Sequence, residues 1–353
     1  MKLANFPYLI QKEIYAHLSI TDIFFLSLCS KKTKTDIKQI QKKEFEKVKR
    51  IEYDISTLFG DATCILAKMG PRKTSVLTLV ISPQHIPRLI TTAPVEEVKV
   101  DELGTPIIFY RTPSIASILH ANHTSSNMES VITAIHNHLY ALLGDHTKFW
   151  LKSCNLRYLP MLQNIEKLTI YGDTIEPTIL DEFLSNSTSL ECFSFGHRGE
   201  HQIELRAASK IYDLDTVYAW AYPLTANILK YFNGRHAFLY GRLITPSDDV
   251  IRFLEEWQSG EKFQNLEVIT LDSFFQDWEI RDRIEFKEVN TEVRYFCYRK
   301  FDSSSVIEPL DFKSRFYIVR KSDGHVASVK MTGFDISMGV WNMTESQFLE
   351  KFQ

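Results

Sequence analysis

Histidines, carboxylates and cysteines are the side chains from which this chain could build a reaction centre, and their spacing argues against one. His136-Asn137-His138 and the pair His120 and His123 are the tightest histidine groupings, and neither has a set of carboxylate or thiolate ligands beside it. On a helix, positions i and i+2 lie on different faces, so His136 and His138 would not share a metal ion. Cys29, Cys64, Cys154, Cys192 and Cys297 are scattered singly without a C-x-x-C pair, which leaves no recognisable zinc framework. No glycine-rich phosphate loop, G-x-S-x-G elbow or H-E-x-x-H helix occurs. The expectation is therefore no catalytic residue, no metal and no cofactor. Recognition chemistry remains. Asp272, Asp277, Glu279 and Asp282 surround Phe274, Phe275 and Trp278; this mixed surface loop either docks a basic target or is a solvated turn over packed aromatics.

Composition narrows the classes further. With 44% hydrophobic and 24% charged residues over 353 positions, the chain can bury a sizeable core and exceeds one typical domain. A formal charge of −3 supplies no global attraction to nucleic acid or to a membrane surface. There is no apolar run long enough to span a bilayer and no secretory signal pattern at the N-terminus, so the expected location is cytoplasmic or nuclear. Dispersed cysteines in such a compartment read as reduced thiols, and the sequons at Asn122, Asn186 and Asn342 as chance matches.

The elements that must carry recognition begin at the N-terminus. Pro7 suits a helix entrance, because its fixed φ fits the first turn and its missing N–H has no partner there. Ile10, Ile14 and Leu18 then recur at helical spacing with Leu9 alongside, while Gln11, Lys12, Glu13 and His17 take the other side. A turn at residues 19–22, with Thr21 as N-cap, leads into a second helix from Ile23 to Cys29. Ile23, Phe24, Phe25, Leu26 and Leu28 make that helix apolar nearly all round. Two helices this short cannot bury so much surface alone, so part of it calls for a partner.

These residues resemble an F-box. The pattern is Phe6-Pro7, an Ile-aromatic pair at Ile14-Tyr15, Leu18, an Asp-Ile pair at Asp22-Ile23, and a Leu-x-x-Cys close from Leu26 to Cys29, without a gap. Many F-boxes continue Cys-Arg-x-Trp, whereas here Ser30-Lys31-Lys32 follows, and the run Leu26 to Lys34 is similar to the nematode-type group. The resemblance implies binding of a Skp-type linker protein and, through it, a cullin scaffold. The residues it points to for linker contact are Phe6, Pro7, Ile10, Ile14, Leu18 and Leu26.

After the motif, residues 31–50 read as a continuing helix with nine Lys/Arg against three acids, a solvated face joining head to body. The period then changes to two. Residues 49–55, 63–67, 76–81, 95–100 and 107–110 are short β-type runs broken by Gly and Pro. Residues 122–127 are a polar loop, and Met128 to Leu143 is helical, with Val131, Ile135, Leu139 and Leu142 on one face. A weak repeat follows, in which an L/I-E-x-apolar-x-apolar strand recurs at Ile165–Ile170, Leu190–Phe195 and Leu266–Leu271. Helices precede the later two copies, at 175–184 and 246–257. Each strand-helix pair leaves an apolar face that only its neighbour can cover, so the units should stack like leucine-rich repeats.

Within this body, Asp213 to Val217, His236 to Tyr240 and Thr245 to Gly260, closing on Leu266-Glu267, resemble the type 2 F-box-associated region. Val250, Phe253, Leu254 and Trp257 form one helical face and are expected in the core, and Gly260 can supply the left-handed turn that ends the helix. Near the C-terminus, Asp323-Gly324 between alternating runs signals a hairpin in an antiparallel meander that closes the open end of the stack.

The fold class expected is α/β, α+β overall: a helical F-box at 1–48 and a body at 49–353. That body holds a leucine-rich-repeat-like strand-helix stack, a type 2 F-box-associated region at about 210–275 and an antiparallel meander at about 313–342. The function expected is a non-enzymatic substrate adaptor of a Skp-cullin-F-box ubiquitin ligase, holding an unknown protein target and binding neither nucleic acid nor membrane. The alternative is an interaction scaffold of the same shape acting without a ligase.

Overall fold

The computed structural model describes residues 6–18, 20–58, 62–69, 75–82, 95–99, 106–111, 118–122, 128–153, 159–171, 177–196, 205–220, 222–298 and 310–352. Most of the Gly and Pro breakers between the early strands, the polar stretch 123–127, His123 and Cys154 lie outside these residues. The chain divides into two units, residues 1–168 with 186–189, and residues 169–185 with 190–353.

The first unit opens with α1 (Tyr8–His17), α2 (Ile20–Cys29), α3 (Lys31–Ile40) and the single turn α4 (Lys42–Phe45). Two expectations are corrected here. Helix α2 begins at Ile20, so Thr21 stands inside its first turn rather than at the cap. The stretch 31–50 is not one helix: it breaks at Gln41, whose φ of −93° and ψ of 8° leave the helical region, and Arg50 already belongs to a strand. The break has a packing reason. Ile37, Phe45 and Val48 are all buried, and a straight helix would carry Val48 away from Thr147, whose hydroxyl donates to the Val48 carbonyl at 2.9 Å.

Strands β1 (Arg50–Leu58), β2 (Ala62–Met69), β3 (Ser75–Ser82), β4 (Val95–Lys99), β5 (Pro106–Arg111) and β6 (Ile118–Asn122) follow, then α5 (Met128–Leu143) and β7 (Lys148–Ser153). Their order is β7-β1-β2-β3-β6-β5-β4. The β1–β7 pairing is parallel, with Ile51 opposite Phe149 and Tyr53 opposite Leu151. All four of these side chains are buried. Ile135, Leu139 and Leu142 of α5 are buried as their spacing predicts. Strand β8 (Ile165–Tyr171) is where the chain passes from one unit to the other.

The second unit contains α6 (Pro177–Asn186), β9 (Cys192–Gly196), β10 (Thr216–Ala219), α7 (Tyr222–Tyr231), β11 (His236–Ile244), α8 (Ser247–Ser259), β12 (Val268–Phe274) and α9 (Asp277–Arg283). Strands β9, β10, β11 and β12 pair in sequence, all parallel, and parallel neighbours need crossover connections between them. Two strands, β10 and β11, therefore stand between the Leu190 and Leu266 copies of the repeat. Val250, Phe253, Leu254 and Trp257 are each at most 2% exposed. Gly260 ends α8 with φ of 79°.

The remaining elements are β13 (Lys287–Cys297), β14 (Leu310–Val319), β15 (His325–Thr332), β16 (Asp335–Thr344) and α10 (Glu345–Phe352). The four strands form an antiparallel meander whose last member, β16, pairs antiparallel with β12 and covers that side of the parallel run. The β14–β15 turn has Gly324 at φ of 73°. Helix α10 seats Phe348 on Val289, Val293, Tyr317 and Val326. The body is thus a mixed α/β structure whose C-terminal strands are antiparallel.

Candidate partner-binding surface

Helix α1 packs inward along Tyr15 with the half-buried Gln11, Ile14 and Leu18 beside it, and its first turn is uncovered. Pro7 stands immediately before it with φ of −54°, and its carbonyl accepts from the Ile10 and Gln11 N–H groups at 3.0 and 3.1 Å. Gln11 Nε2 donates back to the Phe6 carbonyl at 2.7 Å, holding Phe6 against the first turn. Tyr15 is buried, and burial together with Asp36 on α3 raises its hydroxyl above the ordinary tyrosine range. In the first turn, by contrast, Tyr8 is 59%, Leu9 71% and Ile10 46% exposed. Three consecutive large apolar residues in water form a costly surface for a free protein.

Of the six residues singled out in the sequence, Phe6, Pro7 and Ile10 lie at the uncovered first turn, Ile14 and Leu18 flank Tyr15, and Leu26 is on α2. Pro7 and Ile10 are exposed, and Phe6, Ile14, Leu18 and Leu26 are half-buried. Ile10, Ile14 and Leu18 follow one another by one turn along α1 and its C-cap, and Leu26 lies on α2. None of the six is fully buried. The residues of α2 that are buried are others: Ile23, Phe24, Ser27 and Leu28.

Two of those buried residues, Phe24 and Ser27, meet α5. Ser27 Oγ donates to the Phe24 carbonyl at 2.6 Å and lies 2.7 Å from His138 Nε2. With the hydroxyl proton committed to Phe24, the serine oxygen accepts from Nε2–H. The other ring nitrogen, Nδ1, then accepts from Lys34 Nζ on α3 at 3.3 Å. The ring edge also meets Phe24, with centroids 5.7 Å apart. Burial and the Lys34 charge push His138 down to about 4, so it is neutral at physiological pH. Lys38 completes the contact by donating to the Ala141 carbonyl at 2.7 Å, a cation at a helix C-terminus.

His136 points elsewhere, as an i, i+2 pair must. Its ring packs 4.5 Å from Phe149, and Nδ1 lies 3.3 Å from the Tyr53 hydroxyl. Burial pushes it down to about 4 as well. The two histidines are therefore core residues on opposite sides of α5. Among the described residues no three His, Cys, Asp or Glu side chains gather to hold a metal ion.

Ser30 was overlooked as a positioning residue. It caps α3, with its Oγ accepting from the Thr33 N–H at 3.0 Å and lying 2.7 Å from the Thr33 hydroxyl. A serine just before a lysine-rich helical run is a readable N-cap signal. Lys34 and His138 could not have been paired from the sequence, because they are 104 residues apart.

The aromatic-acidic stretch is corrected from loop to helix. Asp277 to Arg283 form α9, where Arg281 lies 3.8 Å from Asp277 one turn away and Ile280 is buried. Phe275 is buried, whereas Phe274 and Trp278 are 50% and 59% exposed.

Among the described residues no helix is long and apolar enough to cross a membrane. No curated protein and no solved structure matches the chain. One family model does match, that of the F-box domain, over residues 3–35. That span holds α1 and α2, with their uncovered outer residues, and the capped start of α3: the chain carries an F-box domain at its N-terminus.

Proposed function

We propose that this chain is a substrate-recognition adaptor of a Skp-cullin-F-box ubiquitin ligase. The observation that carries the reading is the F-box match falling on helices whose Tyr8, Leu9 and Ile10 remain uncovered. An F-box domain implies a Skp-type partner and, through it, a cullin. In this reading Phe6, Pro7, Ile10, Ile14, Leu18 and Leu26 contact the linker, while Phe24 and Ser27 hold the motif to the chain's own α5. The two roles use different faces, so neither competes with the other.

The division we propose is an F-box at 1–48 and a target-binding body at 49–353. We assign that body to the leucine-rich-repeat-like class, with a type 2 F-box-associated region of the nematode-type group at about 210–275. The parallel run β9 to β12 with α7 and α8 between its strands supports this assignment, as do the buried Val250, Phe253, Leu254 and Trp257 and the left-handed Gly260.

The chain itself performs no bond chemistry in this account. It holds linker and target at once, which raises the effective concentration of target lysines near the transferred ubiquitin. Reconstitution with a Skp-type linker, a cullin with its RING subunit and the ubiquitin-charging enzymes tests it. Ubiquitin chains on the adaptor that require both linker and cullin are expected, and ubiquitination unaffected by omitting the linker would overturn the reading.

A further inference from the structure

Helix α5 carries two buried histidines that face opposite ways. His136 is 0% and His138 4% exposed. His136 meets Tyr53 of β1 and Phe149 of β7, so it joins α5 to the sheet. His138 meets the F-box helices instead: Nε2 lies 2.7 Å from Ser27 Oγ of α2, and Nδ1 lies 3.3 Å from Lys34 Nζ of α3.

One imidazole thus spans two helices of the matched motif. Helices α2 and α3 are separated only by Ser30, which caps α3. A joint of one residue fixes where two helices meet and leaves the angle between them to contacts further along. Ser27 stands three residues before Ser30 and Lys34 four after it, about one turn from the corner on either side. The ring is rigid and is held at both nitrogens, so it braces the corner from the body. Lys38, one turn beyond Lys34, continues the contact by donating to the Ala141 carbonyl.

Both arms of this corner bear on the surface proposed for the linker. Leu26 is adjacent to Ser27 on α2. Helix α1, with Ile10, Ile14 and Leu18, packs on α3, where the Asp36 charge acts on the buried Tyr15 hydroxyl. A partner that reads side chains from both arms binds best when their angle is set before it arrives, because ordering them on binding costs affinity.

We infer that His138 is a positioning residue for linker docking: from outside the motif matched at residues 3–35 it holds α2 and α3 at the angle that aligns Leu26 with the residues of α1. The inference rests on the adaptor reading. It makes linker affinity depend on a side chain of the body that touches no linker.

Calorimetric titration of a Skp-type linker into the full chain tests it, with urea unfolding on the same samples. His138→Leu removes both hydrogen bonds and should weaken linker affinity about tenfold or more. His138→Gln, which offers one donor and one acceptor, should restore most of it. His136→Leu is the control for a merely structural role: it removes the partner of the buried Tyr53 hydroxyl and lowers stability, and should leave linker affinity unchanged. Lys34→Met takes away the other end of the brace at a half-buried position. Alone it should weaken linker binding, and combined with His138→Leu it should add little, as partners in one contact do. Should His138→Leu fail to fold, Lys34→Met and His138→Gln carry the test. Equal losses of affinity for His136→Leu and His138→Leu, additive effects of Lys34→Met and His138→Leu, or affinity indifferent to Lys34→Met would each overturn the inference and keep the adaptor reading. A native chain that does not bind the linker overturns both.

Discussion

Ser27 on α2 and His138 on α5 are 111 residues apart in the chain and share a buried hydrogen bond of 2.7 Å. This contact fixes α2 to α5 within the first unit, while the first turn of α1 stays uncovered. Its consequences can be measured.

The contact makes stability depend on pH. His138 and His136 both lie at about 4 when folded, against an ordinary 6.5. The fold holds their neutral forms, so their contribution is complete above pH 6.5. It is lost as pH falls from 6.5 to 4, where the unfolded chain takes up protons and the folded chain does not. The loss is on the order of 3 kcal/mol for each group over that window. Urea midpoints at pH 7 and pH 4.5 should differ more for the native chain than for His138→Gln. Equal shifts would show that His138 does not titrate as described.

The Ser30 cap is exposed, so its removal tests its two hydrogen bonds to Thr33 without a packing change. Ser30→Ala should lower stability by about 1 kcal/mol, and Ser30→Asp, which also accepts from the Thr33 N–H, should restore it. Thermal unfolding of the three chains checks this. No change in Ser30→Ala would mean that Thr33 finds another partner.

Gly260 and Gly324 have similar φ values, 79° and 73°, and opposite surroundings. A Cβ at Gly324 would meet nothing within 4 Å, whereas at Gly260 it would lie 2.1 Å from Ser322 Oγ. Gly324→Ala should therefore cost about 1 kcal/mol, the left-handed penalty alone. Gly260→Ala should cost more, and Gly260→Ala with Ser322→Gly should recover the excess. Equal costs at the two positions would contradict the packing at Gly260.

Legibility followed the range of the interactions. Helices α1, α5 and α8 were readable because their apolar residues recur locally, and Gly260 because a left-handed cap is a property of one residue. Strand β10, with only Thr216 to Ala219, offers too few positions for a period and was hidden. Strand β7 is buried at most positions and lacks the alternation that marks a half-exposed strand. On β13 the register shift between Glu288 and Val293 interrupts the pattern. In the candidate site, the apolar residues of α1 could be read from the sequence. What could not be read is which residues of α2 turn inward, because that is decided by His138 and Lys34.

The central claim is that α1 presents an uncovered apolar face to a linker. Co-expression with a Skp-type linker, followed by size-exclusion chromatography, compares the native chain with Ile10→Asp. Ile10 is 46% exposed in the free chain, so the aspartate stays solvated and the fold is kept, whereas in a complex it would be buried without a partner. The account predicts a stoichiometric native complex and a loss of about a hundredfold or more in affinity for Ile10→Asp, with unchanged circular dichroism. A native chain that elutes apart from the linker, or a complex indifferent to the aspartate, would contradict it.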